Sequence, residues 1–224
     1  RGLEDRHRQR HGPFEDSDHA LPDVPGGRDA GDRVADGARH LHRHGQPTER
    51  RRDAILGEEQ GASGSGRRRW IIDPIDGTRN YSRGVPVWAT LIALEEGGRI
   101  VLGVVSAPAL HRRWWAERGG GAHAGGDVVH VSAVRRPEDA VLSFALEQSI
   151  PALAGRAWHA RGYGDFWSHM LVAEGSVDGA IDAIGVSVWD LAAVQVIVEE
   201  AGGTFTDFAG AGRIDGGSAI SSNG

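Results

Sequence analysis

Two aspartates, Asp73 and Asp76, stand three positions apart and are followed at once by Gly77 and Thr78. Two carboxylates so close repel each other unless a cation lies between them, and oxygen ligands favour a hard ion such as magnesium. The glycine permits a tight turn, so that the backbone amides of Gly77 and Thr78 can point into the same small volume. This spacing predicts a site for divalent cations with a phosphate group held against them.

The segment before these aspartates is the element that must position them. Ile71 and Ile72 end a short β-branched run that predicts a buried strand, and Pro74 interrupts ladder pairing directly after Asp73. We therefore expect the strand to deliver Asp73 at its exposed end. An Asp-Gly pair beside a proline is also common in ordinary turns, where either aspartate serves only as a turn or capping residue.

A second acidic pair, Glu58 and Glu59, precedes Asp73 by about fifteen residues. It follows the apolar run 54–56, which predicts a strand that ends beside the pair. Two adjacent glutamates most often lie on a solvated loop, and that alternative stands beside a role as metal ligands.

Trp189 and Asp190 stand at the head of a predicted helix. Apolar residues recur at helical spacing from Leu191 to Ala201, and the pair Gly202-Gly203 ends the pattern. Asp190 is therefore either a capping residue or a ligand. A carboxylate at a helix N-terminus is expected to have a lowered pKa, so that it is ionised and ready for a cation.

Further strands are predicted from β-branched runs and turn signals. Trp114 and Trp115 are expected in the core or in a dimer interface, because no basic residues interleave with them as in a stacking platform. The predicted strands are 85–94 and 100–107, paired as a hairpin, then 114–116, 128–131, 140–146, 204–208 and 218–221.

Three motifs in this order resemble the signatures of the inositol monophosphatase family of magnesium-dependent phosphomonoesterases. They are Gly57-Glu58-Glu59, the turn Asp73-Pro74-Ile75-Asp76-Gly77-Thr78, and Trp189-Asp190 on a helix that ends in Glu-Ala-Gly-Gly. The resemblance covers residues 53–224. It implies an α/β fold, the layered α-β-α-β-α sandwich of inositol monophosphatases and fructose bisphosphatases, with a metal and phosphate half, 53–138, and a substrate half, 139–224.

The resemblance also implies a role for each motif residue. The candidate metal ligands, around two or three Mg²⁺ ions, are Glu58, Asp73, the Ile75 carbonyl, Asp76 and Asp190. Phosphate is expected on the Gly77 and Thr78 amides, and the candidate catalytic residues are Thr78 and Glu59. By this match a metal-activated water attacks the phosphate in line, and no phosphoenzyme forms.

The segment Gly162-Tyr163-Gly164-Asp165-Phe166-Trp167 precedes another predicted helix, for which Asp165 is a favoured N-cap. It resembles the histidinol-phosphate phosphatase branch of the family, of the actinobacterial type, in which this turn lines the substrate pocket. Gly164, Asp165 and Asp190 are then candidate substrate-binding residues. The implied reaction is hydrolysis of L-histidinol phosphate in histidine biosynthesis, since a carboxylate can receive the ammonium and imidazole of that substrate. The alternative is an inositol-1-monophosphatase or a related small sugar-phosphate phosphatase.

Three departures from the family pattern keep open an alternative of another class, a catalytically inactive metal-binding fragment. The Thr-x-x-Asp motif, whose acid pairs with the threonine matching Thr78, has no counterpart in residues 1–52. The acid expected seven residues before Asp190 is replaced by Ala183, with Asp182 beside it. The helix expected after the final Ser-Ser-Asn-Gly is missing.

Residues 1–52 differ in character from the rest of the chain. They mix arginine, histidine and acidic residues with few apolar neighbours, which predicts a disordered arm. Because family-like sequence begins abruptly at Asp53, we hypothesise that a reading-frame error produced this segment, and peptide masses that match an unaltered frame would refute it. His40, His42 and His44 alternate, but without a second ligand group at suitable spacing they are assigned no metal site.

Composition narrows the class of protein. The 224 residues are 39% hydrophobic, which is enough for a sizeable core, and the absence of cysteine excludes disulfides and agrees with a cytoplasmic location. A net charge of -6 argues against a nucleic-acid binder, and no apolar run approaches membrane length. The expected partner is a small phosphate ester. The family resemblance implies that the protein forms a homodimer.

Overall fold

The computed structural model describes residues 53–59, 61–144, 151–183 and 185–224. The predicted arm, residues 1–52, lies outside the described residues together with its three alternating histidines, and so do residues 145–146 at the end of one predicted strand. No helix in the described ranges combines the length and the apolar character needed to cross a membrane.

The larger sheet of the described chain has the strand order β2-β1-β3-β4-β5-β6-β7-β8. Its strands are β1 (Ala54–Gly57), β2 (Gly61–Ser63), β3 (Arg68–Asp76), β4 (Ala89–Glu96), β5 (Arg99–Ala107), β6 (Arg112–Glu117), β7 (Gly121–Ala124) and β8 (Asp127–Val129). β1 runs parallel to β3, and the other neighbouring strands are antiparallel. The parallel pairing brings the end of β1 beside the aspartates of β3.

The smaller sheet has the order β10-β9-β11-β13-β12. Its strands are β9 (Val141–Phe144), β10 (His159–Arg161), β11 (Gly179–Asp182), β12 (Thr204–Thr206) and β13 (Ala219–Ser222). β9 is parallel to both β10 and β11, whereas β13 is antiparallel to β11 and β12. This mixture of strand directions matches the α/β class predicted from the sequence.

Two helices form the layer between the sheets, and one of them contacts both sheets. The helices in chain order are α1 (Thr78–Ser82), α2 (Pro151–Ala154), α3 (Asp165–Ala173) and α4 (Val188–Glu200). α4 contacts β3 to β7 of the larger sheet and β12 of the smaller one, while α3 contacts α4, β11 and β13. The predicted layered sandwich is therefore confirmed in its inner β-α-β layers.

Helix α4 is buried on every side over most of its length. All eight residues from Leu191 to Val198 are buried, as expected for a helix enclosed by two sheets. Trp114 of β6 is also buried, at 1% exposure, which confirms its expected place in the core. The rigid core thus carries Asp190 at the beginning of α4.

The predicted hairpin is present, but its first strand begins later than the sequence indicates. β4 starts at Ala89, because the amides of Arg83, Gly84 and Val85 bond to carbonyls of α1 instead of joining a ladder. β4 and β5 are joined by Gly97-Gly98, both with positive φ, which suits the tight two-residue turn of a hairpin.

We expect Gly103→Ala to lower the free energy of unfolding by about 1–3 kcal/mol, because overpacking forces neighbouring atoms to shift. A methyl group on Gly103 of β5 lies 2.6 Å from Val196 Cγ1 and 2.7 Å from the Ala193 carbonyl oxygen, both in α4. Urea unfolding measures the change. Gly126→Ala is the matched control, since a methyl group there meets no described atom within 4 Å; equal losses in both variants would contradict this account of the packing.

Candidate metal and phosphate site

A bulge in β3 places both aspartates of the central turn on one face of the sheet. Asp73 lies opposite Leu91 of β4, and Asp76 lies opposite Ala89, so the two residues between the aspartates oppose Thr90 alone. Residues three apart on a regular strand point to opposite faces. The extra residue corrects this parity, because it lets Asp73 and Asp76 share the face that their partners share.

Pro74 marks this bulge and does not end the strand. The sequence predicts the strand end near Asp73, whereas β3 continues to Asp76. Proline cannot donate to the ladder, and the irregular pairing begins at this residue. The Thr90 hydroxyl donates to the Pro74 carbonyl at 2.8 Å, which supplies a partner to a backbone group that the irregular pairing affects.

Three carboxylates from two distant parts of the chain meet at this face. Asp73, Asp76 and Asp190 each offer an oxygen atom, and these atoms lie within 4.8 Å of one another. Asp73 and Asp76 are only 2% and 9% exposed. We call this group the acidic corner. Its all-oxygen donor set and its crowded negative charge fit a hard divalent cation.

The acidic corner holds protons strongly when no cation is present. Burial raises the pKa of Asp73 to about 7, and the charges of Glu58 and Asp190 add to the rise. Burial also raises the pKa of Asp76 well above its ordinary value, although the Phe166 amide that donates to it acts in the opposite direction. A bound cation therefore relieves a real electrostatic penalty.

Asp190 occupies the third position of α4, where its Oδ2 accepts the Ser187 amide at 2.6 Å. It therefore caps the helix and joins the acidic corner at once, so the two alternatives for this residue are compatible. The expected lowering of its pKa is wrong. Burial raises the pKa of Asp190, and the charges of Glu58 and Asp182 add to the rise, although the hydrogen bond from the Ser187 amide lowers it.

Glu58 follows β1 and lies beside the acidic corner. The register of β1 with β3 pairs Gly57 with Ile72, so the next residue, Glu58, comes level with Asp73. The charge of Glu58 raises the pKa of both Asp73 and Asp190, which places the carboxylate within electrostatic reach of both. The Glu59 side chain is exposed, and its catalytic role stays a prediction.

The turn after Asp76 requires glycine at its first position. Gly77 has φ of 77°, and a methyl group there lies 2.9 Å from the Val87 carbonyl oxygen. Thr78 begins α1, and its hydroxyl donates to the Ile75 carbonyl at 3.0 Å. A carbonyl oxygen has two lone pairs, so this bond leaves one for a cation. The roles of Ile75, Gly77 and Thr78 as ligands stay predictions.

Helix α3 closes the site from the opposite side. The Phe166 amide donates to Asp76 Oδ2 at 2.7 Å, which joins the first turn of α3 to the acidic corner. Gly164 is the N-cap of α3, and Asp165 follows as its first residue with φ of 50°. Asp165 is therefore not the N-cap, and the capping alternative is wrong. Its carboxylate instead accepts the side-chain amide of Asn80 at 3.1 Å.

Residues 40–221 match the model of the inositol monophosphatase family. The chain belongs to this family. The match begins before the change of character at Asp53 and contains every residue of the acidic corner. The resemblance based on the three motifs is confirmed.

Among its relatives in this family are proteins named histidinol-phosphatase. That of Streptomyces coelicolor is 50% identical over 193 residues, which covers 78% of this chain and 72% of the relative. That of Mycobacterium tuberculosis is 50% identical over 187 residues, covering 77% and 72%. The solved structure of the extragenic suppressor protein SuhB from Bartonella henselae is similar with a TM-score of 0.72 at 34% identity, covering 77% of this chain and 75% of that one.

Asp182 and His169 form a buried pair. The His169 ring lies between Asp182 Oδ2, at 2.9 Å, and the Ser221 hydroxyl, at 2.7 Å. The charge of Asp182 raises the pKa of both Asp165 and Asp190. The sequence signal for Asp182 was its place beside Ala183, but nothing in the sequence linked it to His169, thirteen residues earlier on another element.

Proposed function

We propose that this protein is a magnesium-dependent phosphomonoesterase that hydrolyses L-histidinol phosphate to L-histidinol and phosphate. The observation that carries the proposal is the contact of a carboxylate outside the metal cluster, Asp165, with the turn that follows the acidic corner. The relatives named histidinol-phosphatase, at 50% identity, support the same substrate. Nothing in the comparisons supports an inactive fragment.

Five groups are proposed to hold two or three Mg²⁺ ions. They are the carboxylates of Glu58, Asp73, Asp76 and Asp190 and the carbonyl of Ile75. When bound, the ions supply an activated water and stabilise the oxygen that leaves phosphorus. The protein's own part is to hold Asp73 and Asp76 buried beside Asp190, where burial raises the pKa of each carboxylate, so that a bound cation stabilises their ionised forms.

The turn at Gly77 is proposed to bind the phosphate group. The backbone amides of Gly77 and Thr78 begin the first turn of α1, where amide hydrogens are not used inside the helix. The Glu59 carboxylate is the proposed acceptor for the proton of the attacking water, and the Thr78 hydroxyl is proposed to orient that water by a hydrogen bond. Glu59 directly follows the candidate metal ligand Glu58, and Thr78 stands two positions after the candidate metal ligand Asp76.

Substrate recognition is assigned to Gly164, Asp165 and Asp190. Burial raises the pKa of Asp165, the charge of Asp182 adds to this, and Arg79 lowers it. A cationic group of the substrate stabilises the ionised carboxylate in this environment. The alcohol portion of histidinol phosphate carries an ammonium and an imidazole, which supply such a group, whereas inositol carries only hydroxyls.

The two halves of the chain are proposed to have different roles in the site. We infer that residues 53–138 form the metal and phosphate half and that residues 139–224 form the substrate half, with Asp190 reaching from the second into the first. The family resemblance supports a homodimer, and the absence of cysteine agrees with the cytoplasm. The substrate is a small phosphate ester of the histidine pathway.

The test is phosphate release by the full chain in Mg²⁺ with two substrates, histidinol phosphate and inositol 1-phosphate. We expect a higher kcat/KM for histidinol phosphate, and we expect Asp165→Asn to lower that value about 10- to 100-fold, the worth of one hydrogen bond to a charged group. Asparagine keeps the size of Asp165 and can still accept the Asn80 amide. A wild-type preference for inositol phosphate would overturn the substrate, and metal binding without turnover would favour the inactive fragment.

A further inference from the structure

The side-chain amide of Asn80 bridges three elements at the edge of the substrate side. Its Nδ2 donates to the Val87 carbonyl at 3.0 Å and to Asp165 Oδ2 at 3.1 Å. Asn80 belongs to α1, Val87 to the segment before β4, and Asp165 to the start of α3. Both hydrogens of the Asn80 amide are thereby used in hydrogen bonds. Donation to any further group would break the bond to Val87 or the bond to Asp165.

The backbone conformation of Asp165 makes its side-chain contact with Asn80 significant. Asp165 has φ of 50°, a left-handed conformation uncommon for residues other than glycine although aspartate adopts it more often than most, and Gly164 before it has φ of 69°. Its Oδ2 also lies 3.3 Å from the place where a side chain on Gly77 would begin. The carboxylate therefore reaches over the turn proposed to bind phosphate, and one of its two oxygens is committed to Asn80.

The neutral side-chain amide of Asn80 positions Asp165 without adding a positive charge beside its carboxylate. An amide donor is neutral, so the Asp165 carboxylate keeps its full negative charge, whereas an arginine partner would neutralise it. The charge of Arg79 acts on Asp165, but no ion pair of the described residues joins the two side chains. The second carboxylate oxygen has no hydrogen-bond partner in the described part of the chain.

We propose that Asn80 is a specificity-determining positioning residue, which holds Asp165 in place so that a carboxylate with no ion-pair partner among the described residues faces the cationic alcohol portion of the substrate. This inference rests on the proposed function. It assigns Asn80 no contact with the substrate and no part in the attack on phosphorus. Its effect is selective, because only a substrate whose alcohol portion carries positive charge depends on Asp165.

The test compares histidinol phosphate with 2-glycerol phosphate, whose alcohol portion is neutral, using the full chain in Mg²⁺. Asn80→Ala is expected to lower kcat/KM for histidinol phosphate about tenfold, mainly through KM, and to change that for 2-glycerol phosphate less than about twofold. In an Asp165→Asn background the same substitution is expected to leave the ratio of the two values unchanged, because the charge that Asn80 positions is already gone.

Ser82→Ala is the matched control on the same helix, since this exposed hydroxyl bonds only to the Arg79 carbonyl among the described contacts. If Asn80→Ala does not fold, Asn80→Ser replaces it, since a hydroxyl has one hydrogen and can serve only one of the two acceptors. Equal losses for both substrates, or a lower ratio also in the Asp165→Asn background, would overturn the inference. A wild-type enzyme that does not prefer the cationic substrate would instead refute the proposed function.

Discussion

Asp76→Asn is expected to lower kcat/KM for histidinol phosphate by more than about 100-fold, and at the same time to raise the Tm of the metal-free protein at pH 8. Loss of a residue that merely orients a metal ligand lowers metal affinity or activity 10- to 100-fold, so loss of a ligand itself should exceed this range. The gain in Tm follows because a carboxylate whose pKa is raised by burial is costly to ionise inside the protein. Asparagine can still accept the Phe166 amide, so the packing of α3 is kept.

Steady-state phosphate release and thermal unfolding in EDTA measure the two effects. Asp127→Asn, an exposed change in β8, is the control and should alter neither quantity. A fall in kcat/KM with a rise in Tm distinguishes a residue of the metal site from a structural one, since replacing a structural aspartate lowers both quantities. Retention of activity in Asp76→Asn would remove the acidic corner from the reaction.

The metal-free protein is expected to lose stability on the order of 3 kcal/mol between pH 5 and pH 8 through Asp73, which titrates together with the carboxylates beside it. The pKa of this carboxyl is about 7 in the folded chain against 3.8 in the unfolded chain. A raised folded pKa gives stability that is complete below the unfolded value and disappears as the pH rises through the folded value. Two pH units below 7, at about 1.4 kcal/mol each, give the stated loss.

Denaturant unfolding at the two pH values, in EDTA and in excess Mg²⁺, measures this dependence. The raised pKa values of Asp76 and Asp190 act in the same direction, so the total change in EDTA should not be smaller. Mg²⁺ should stabilise the protein more at pH 8 than at pH 5, because it binds the ionised carboxylates. Asp73→Asn should flatten the profile in EDTA, and a stability that rises with pH in EDTA would contradict the crowding of charge described above.

Local patterns were sufficient to predict most of the elements that carry the site. The buried strand before Asp73, the hairpin after it, the strand of Trp114 and the helix after Asp190 are all present. Each depends on periodicity, β-branching or glycine punctuation within a short window, and such signals act before the chain is packed. The motifs were specific enough to predict the family, which the match over residues 40–221 confirms.

Three features of the structure depend on tertiary contacts, which short sequence patterns do not predict. The strand of Asp73 continues through Pro74 as a bulge, since the partner strand decides how many residues face each other. Val85 does not join the hairpin, because its amide donates to the Asn80 carbonyl of α1. The pKa of Asp190 is raised although its helix position predicts a lowered value, because the folded protein buries this carboxylate and places Glu58 near it.

The sequence by itself determined which groups are available: acidic side chains in three motifs, a glycine turn after the second aspartate of the strand, and an acid at the first position of α3. Only the tertiary structure decided that Asp73 and Asp76 share a face with Asp190, that Asn80 holds Asp165, and that His169 holds Asp182. The physical reason is the separation along the chain over which each interaction acts. Backbone preference and charge act between near neighbours in the chain, whereas convergence, burial and hydrogen bonding between distant residues exist only once the two sheets have closed on α3 and α4.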